Sequence, residues 1–281
     1  MMDTPDHFIT VRVHDQEISP QLVGLCVGYE LGEWRAEQFA DHVMEWLPEF
    51  ALTQKELESI QSGNVVSLMR RAAKNVYATK KFESRGEFGE LFLHAAIRQV
   101  FGSMPAISKI YYKTARNETV KGFDAVHVVD GNDGLELWLG EVKLYKDIGR
   151  AISDVVEELH AHTQRDYLRD EFLLIRGKVD DDWPHAEALK SLISPNTSLD
   201  QVFAKAVIPV LLTYDSSCVK THDRCSQDYC EQFEAEVRKH YHNFATRNLP
   251  SLDIHLFLLP LKSKDELVGL LHQKLEAWQN L

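Results

Sequence analysis

Apolar and polar positions alternate along this chain in blocks that predict a series of strands and helices. Residues 7–13 (HFITVRV) and 22–29 (LVGLCVGY) are rich in β-branched side chains and predict two strands. Phe39, Val43, Trp46 and Leu47 recur at helical spacing and predict a helix over about 34–47, and Thr53-x-x-Glu56 predicts a capping-box start for the next one. An amphipathic helix is expected over 84–101. Strands follow at 107–113, 123–130 and 135–145, the last two joined by a tight turn at Asn132-Asp133-Gly134. A helix over 147–168 would bury Ile148, Ile152, Val155, Val156 and Leu159. After a partly helical stretch (170–205) come a strand at 207–214, a helix at 226–245 and a strand at 252–260. A final helix opens with Ser263-x-x-Glu266.

From residue 84 onward this order is α-β-β-β-α-β with additions. The fold class it predicts is α/β of mixed type, a central mixed sheet flanked by helices. Residues 1–80 read as an N-terminal mixed α/β region, and 81–281 as the domain that holds the chemistry.

Composition narrows the class. The 281 residues are 44% hydrophobic and 26% charged, which is ordinary for a globular protein. No apolar run approaches the ~20 residues of a membrane helix, and the N-terminus shows no signal peptide, so a cytoplasmic protein with no membrane partner is expected. Four cysteines do not make a disulfide framework. Cys218, His222, Cys225 and Cys230 form a formal four-ligand zinc set, but without the paired C-x2-C knuckles of a zinc site they read as loop or core residues.

The net charge is −12, yet between Arg70 and Lys121 eleven Lys and Arg face only four Glu. That window carries +7 and the remainder −19. The basic stretch leads into a cluster of carboxylates.

Phosphodiester hydrolysis needs a hard cation that polarises the phosphate and lowers the pKa of an attacking water. Mg²⁺ takes oxygen ligands, commonly one or two carboxylates. Glu141 and Lys143 stand two apart on a predicted strand, so they leave the same face, which they share with Leu137 and Leu139. Charges amid such an apolar run (LELWLGEVKLY) are costly unless they have a partner or a task. Asp124 opens the preceding strand, and a hairpin around 132–134 is expected to bring it near Lys143 and Tyr145. Asp124 and Glu141 then converge on one metal, with Lys143 beside them. On the preceding helix Ser84-x-x-Glu87 fits a capping box, which gives Glu87 a structural task. That leaves Glu90 as the helix carboxylate of the metal site. His94, one turn on, reads as a hydrogen-bond partner rather than a ligand.

These segments, RGEFGELFLHAAIRQVFG, SKIYYKTARNETVKGFDAVHVV and LWLGEVKLYKD, resemble in order and spacing the nuclease subunit of the Hachiman anti-phage defence systems, over about 84–160. The resemblance implies a restriction-endonuclease-like PD-(D/E)xK core and Mg²⁺-dependent cleavage of DNA, with Mn²⁺ as an alternative ion. It also implies a helicase (ATPase) partner subunit. The metal-site acids carry over to Asp124 and Glu141, the catalytic lysine to Lys143 and the helix glutamate to Glu90. Here Gly122-Phe123 precedes the aspartate where the motif's name has proline. There is no phosphate-binding loop followed by lysine, so ATP hydrolysis would belong to the partner. The alternatives are a stand-alone restriction-type endonuclease and a non-catalytic scaffold with a nuclease fold.

Overall fold

The structure, a computed structural model, describes residues 4–76, 86–108, 122–131 and 134–281. In chain order its elements begin with β1 (Thr10–Asp15), β2 (Gln21–Cys26), β3 (Tyr29–Glu30) and β4 (Glu33–Trp34). Helices α1 (Ala36–Glu45), α2 (Leu47–Ala51), α3 (Gln54–Glu58), α4 (Val65–Val76) and α5 (Glu87–Phe101) follow. Then come β5 (Met104–Ser108), β6 (Ala125–Gly131), β7 (Gly134–Leu144), α6 (Ile148–His162), α7 (Arg165–Lys178), α8 (Ala186–Leu192) and α9 (Leu199–Phe203). The chain closes with β8 (Ala206–Asp215), α10 (Ser217–Thr221), α11 (Gln227–Ala245), β9 (Asp253–Leu261) and α12 (Lys264–Gln279).

Seven strands form one mixed sheet in the order β1-β2-β9-β8-β7-β6-β5, with β3 and β4 a separate hairpin. The inner strands β2, β9, β8 and β7 run parallel. β1 is added antiparallel at one edge, and β6 and then β5 at the other. The sheet and its flanking helices are those the pattern predicts. β1 and β2, from the N-terminal region, extend the sheet through the parallel pairing of β2 with β9.

Positions in register share a face, so Gly24, Leu258, Leu212 and Lys143 form one row. Helices α7 to α9 close the apolar part of that face over Val126, Val128, Leu137 and Leu139. α5 lies on the opposite face. Its Gly89 stands against Val142 and Leu144, and its Leu93 reaches Gly140 on β7. α1 packs on α5 through Phe39 and Phe92, whose ring centres are 5.4 Å apart.

Local signals act as expected where a side chain satisfies the first turn of a helix. Thr53 and Glu56 make the reciprocal capping box of α3, and Ser263 accepts the Glu266 N–H at 3.3 Å to open α12. Two expectations change. The helix predicted over 84–101 starts at Glu87, with Gly86 at its cap position, and the Ser84–Glu87 box cannot be read from the described residues. Ser84 lies outside the described residues. The helix begins where burial on the sheet begins, at Glu87 rather than at exposed Gly86. The helix predicted over 147–168 is two helices. Thr163 turns its hydroxyl onto the Leu159 carbonyl at 2.7 Å and the chain leaves helical geometry before Arg165. The strand predicted at 107–113 starts earlier, at Met104, and its end, like Asn132 and Asp133 of the turn, lies outside the described residues. Among the described residues no helix is long and apolar enough to cross a membrane.

Candidate active site

β6 and β7 pair with Ala125 opposite Gly140, and the Asp124 N–H continues the ladder to the Gly140 carbonyl at 2.8 Å. There a side chain takes over from the backbone. Asp124 Oδ2 accepts the Val142 N–H at 2.9 Å. Asp124 is therefore level with Glu141, two residues short of the position expected from the sequence. Gly131 pairs with Gly134, so the connection holds two residues and Asp124 falls opposite Glu141.

Glu141 and Lys143 leave the same face of β7, as the period of two requires, and both are buried. α6 lies over them and supplies two side chains one turn apart. Glu158 forms an ion pair with Lys143 Nζ, and His162 Nδ1 bonds to Glu141 Oε1. Tyr167, in the first turn of α7, stacks on the His162 ring with centres 4.5 Å apart, and Phe123 meets the same ring edge-on at 5.5 Å. The break after His162 thus lets Tyr167 fold back onto the ring. Burial, with Asp124 alongside, raises the Glu141 carboxyl to about 7 against the opposing pull of His162. Burial lowers the His162 imidazole, but Glu141, Glu158 and Asp124 outweigh it and hold the ring above its ordinary value. Lys143 is likewise lowered by burial and raised more by Glu158, Asp124 and Glu141, so it remains a cation.

Glu90 approaches from the other face. Leu93 meets Gly140 and Gly89 meets Val142, so Glu90 stands level with the end of the β6–β7 ladder, where Asp124 lies in the plane of the sheet. Glu87 is a further turn towards the helix start, about 5 Å along the axis. Glu87 and Glu90 are both buried. His94 is buried between Glu49, 3.0 Å from Nε2, and His127, 3.2 Å from Nδ1, which fits the hydrogen-bonding role expected of it.

The sequence matches the HamA family over residues 2–275. The chain belongs to the HamA family. It is also 25% identical over 257 residues to anti-bacteriophage protein A of Escherichia coli (strain K12), an alignment covering 88% of this chain and 46% of that protein. The chain therefore spans about half the length of the curated relative it matches. The family match runs well beyond 84–160, so the flanking elements, including β1 and β2, also belong to what the HamA family shares.

A two-carboxylate site suits Mg²⁺, which keeps several waters of its own. Asp124 and Glu141 supply two adjacent buried carboxylates whose mutual repulsion a divalent cation would relieve. Among the described residues no three His, Cys, Asp or Glu side chains gather closely enough to hold a metal. Glu90 thus does not complete a triad with the side chains as they stand. The same holds for the zinc set, because its members point to different partners. Cys218 Sγ lies 4.0 Å from His222 Nδ1, whereas Cys230 faces Arg12 and Cys225 faces Cys26.

Glu158, His162 and Tyr167 were not singled out from the sequence. A signal was available: Glu158 and His162 stand four apart beside the buried Val155–Leu159 stripe, on the helix directly after Glu-x-Lys.

Proposed function

We propose that this chain is a metal-dependent nuclease of the PD-(D/E)xK type. In this reading it hydrolyses DNA phosphodiester bonds as the effector subunit of an anti-phage defence complex with a helicase partner. The observation that carries the reading is the placement of Asp124 and Glu141 side by side at the end of the β6–β7 ladder, buried, with the Lys143 cation on the same face. The family membership and the name of the E. coli relative support the defence role.

Asp124 and Glu141 would hold Mg²⁺, with Mn²⁺ able to replace it. The ion would supply Lewis-acid polarisation of the phosphate. Asp124 is held in place by the Val142 N–H, which would orient it as a ligand. Lys143 would stabilise charge that builds on the phosphate oxygens. His162, bonded to Glu141, would orient its carboxylate.

The described residues close over this cluster: Glu141 is 1% exposed and Lys143 is tied to Glu158. In this reading the partner would govern access to Glu141 and Lys143, since an unguarded nuclease would attack the host's own DNA. The test is degradation of plasmid DNA by the chain co-purified with its helicase, with Mg²⁺ and with chelator. Mg²⁺-dependent loss of plasmid is expected. No cleavage in any metal, by an intact complex, would leave a scaffold role in its place.

A further inference from the structure

The ammonium of Lys143 is not open to an anion. Glu158 of α6 already pairs with it, and His162, one turn further along α6, holds Glu141. Both contacts follow from one match of spacings. Four residues of a helix rise about 6 Å and two residues of a strand about 6.6 Å. A helix that runs back across β7 therefore meets Lys143 with Glu158 and Glu141 with His162 in step.

A buried cation needs a counter-charge, but Lys143 does not depend on Glu158 for one. Glu141 shares its face of β7, and Asp124 bonds the N–H of Val142 between them. Glu158 is a third carboxylate at a site whose two-carboxylate metal reading does not use it. The exposures show which side of the pair can open. The Lys143 side chain is 10% exposed and the Glu158 side chain 40%. Glu158 can thus turn into water about its own side-chain bonds, while Lys143 stays fixed under α6. A phosphate oxygen bonded to Lys143 would stand where the Glu158 carboxylate stands, and two anions so placed repel.

We propose that Glu158 competes with the DNA phosphate for Lys143, so that a phosphodiester engages the lysine only when Glu158 turns aside. The pairing itself is a contact of the structure, and the identity of the competing anion rests on the nuclease reading. Removing the Glu158 charge should open the site rather than disable it. That is the reverse of what the loss of Lys143 or Glu141 would do.

The experiment measures binding of a fluorescein-labelled DNA duplex in Ca²⁺ by anisotropy, and plasmid cleavage in Mg²⁺. Both are read on the full chain alone and on the chain co-purified with its helicase. Glu158→Gln keeps the side-chain length and an acceptor for Lys143 but removes the charge. It should tighten duplex binding by the lone chain about tenfold and raise its cleavage by a similar factor. Glu157→Gln removes the same charge at an exposed position of the same helix and should leave both near the wild-type values. On a Lys143→Ala background the gain in binding from Glu158→Gln should shrink. Binding no tighter in Glu158→Gln than in Glu157→Gln, or an equal gain with and without Lys143, would overturn the inference. So would loss of cleavage in the Glu158→Gln complex where the wild-type complex cleaves, because Glu158 would then serve the reaction. Tighter binding by Glu158→Gln with no cleavage by any preparation would support the competition at Lys143 and remove the nuclease reading instead.

Discussion

Glu141 is buried at a cost to the fold, and the proposed reaction would use it. Its carboxyl is raised to about 7 by burial and by Asp124, so ionising it without a cation is unfavourable. Lys143 is a cation buried beside it. Lys143→Ala should lower the cleavage rate by about 10²–10³, the usual scale for losing one preorganised group, with far-ultraviolet circular dichroism unchanged. A wild-type rate in that variant would remove Lys143 from the mechanism. The two helix glutamates separate by level. Glu90 stands at the end of the β6–β7 ladder and Glu87 a turn beyond it. Glu90→Gln should lose most activity while Glu87→Gln keeps it, both assayed in the complex. The reverse pattern would mean that α5 presents its other turn to the site. Glu141 and Lys143 stand out as candidates in the sequence because charges two apart on an apolar strand announce themselves, and Asp124 because it opens the preceding strand. Glu158 and His162 were harder to see, because polar residues on a helix usually face water.

Among the elements, α5 and β7 meet so closely that a glycine is required. A Cβ on Gly140 would stand 2.6 Å from Leu93 Cδ2 and 3.1 Å from Ala125 Cβ. Gly140→Ala should therefore cost about 1–3 kcal/mol of stability. It should also lower activity, because it displaces α5 and Glu90 from the ladder end. Thermal melting and a cleavage assay on one preparation check both, and unchanged values would show that Leu93 simply rotates away. The order of the main strands and helices, and the caps that open α3 and α12, could be read from the sequence. The register of the hairpin could not, since a shift of two residues keeps every side chain on its face. Nor could the break at Thr163, which depends on a hydroxyl returning to the Leu159 carbonyl instead of facing solvent.

Over the whole molecule, one polar network ties the N-terminal helices to the sheet. Arg98 forks onto Glu49 at 2.8 and 2.9 Å, and the chain continues through His94 and His127 to Ser103 Oγ, 2.9 Å from His127 Nδ1. Burial raises the Glu49 carboxyl, but His94 and Arg98 outweigh it and hold it at about 2. A depressed carboxylate contributes stability above its unfolded value, and that contribution is lost as pH falls through the folded one. Melting temperature should therefore fall from pH about 4.5 towards 2, and Glu49→Gln should be less stable at neutral pH and flatter across that window. This network borders a cavity of about 1040 Å³ that Asp124 also lines, so its loss should reach the site. Seven of the eleven cations in the +7 window lie outside the described residues. Of the other four, Arg71 pairs with Glu56 and Arg98 with Glu49. With a net charge of −12, the lone chain should bind duplex DNA weakly at about 0.15 M salt.

If Asp124 and Glu141 together hold one catalytic divalent ion, Mn²⁺ binding by electron paramagnetic resonance and DNA cleavage will depend on both. The measurement takes both readings on the same preparations of wild type, Asp124→Asn and Glu141→Gln. Mn²⁺ binding and cleavage are expected in the wild type. Both should be lost in each variant, with melting temperature held or raised as buried repulsion is relieved. Glu141→Gln protein that binds the ion and cleaves DNA at the wild-type rate would contradict it.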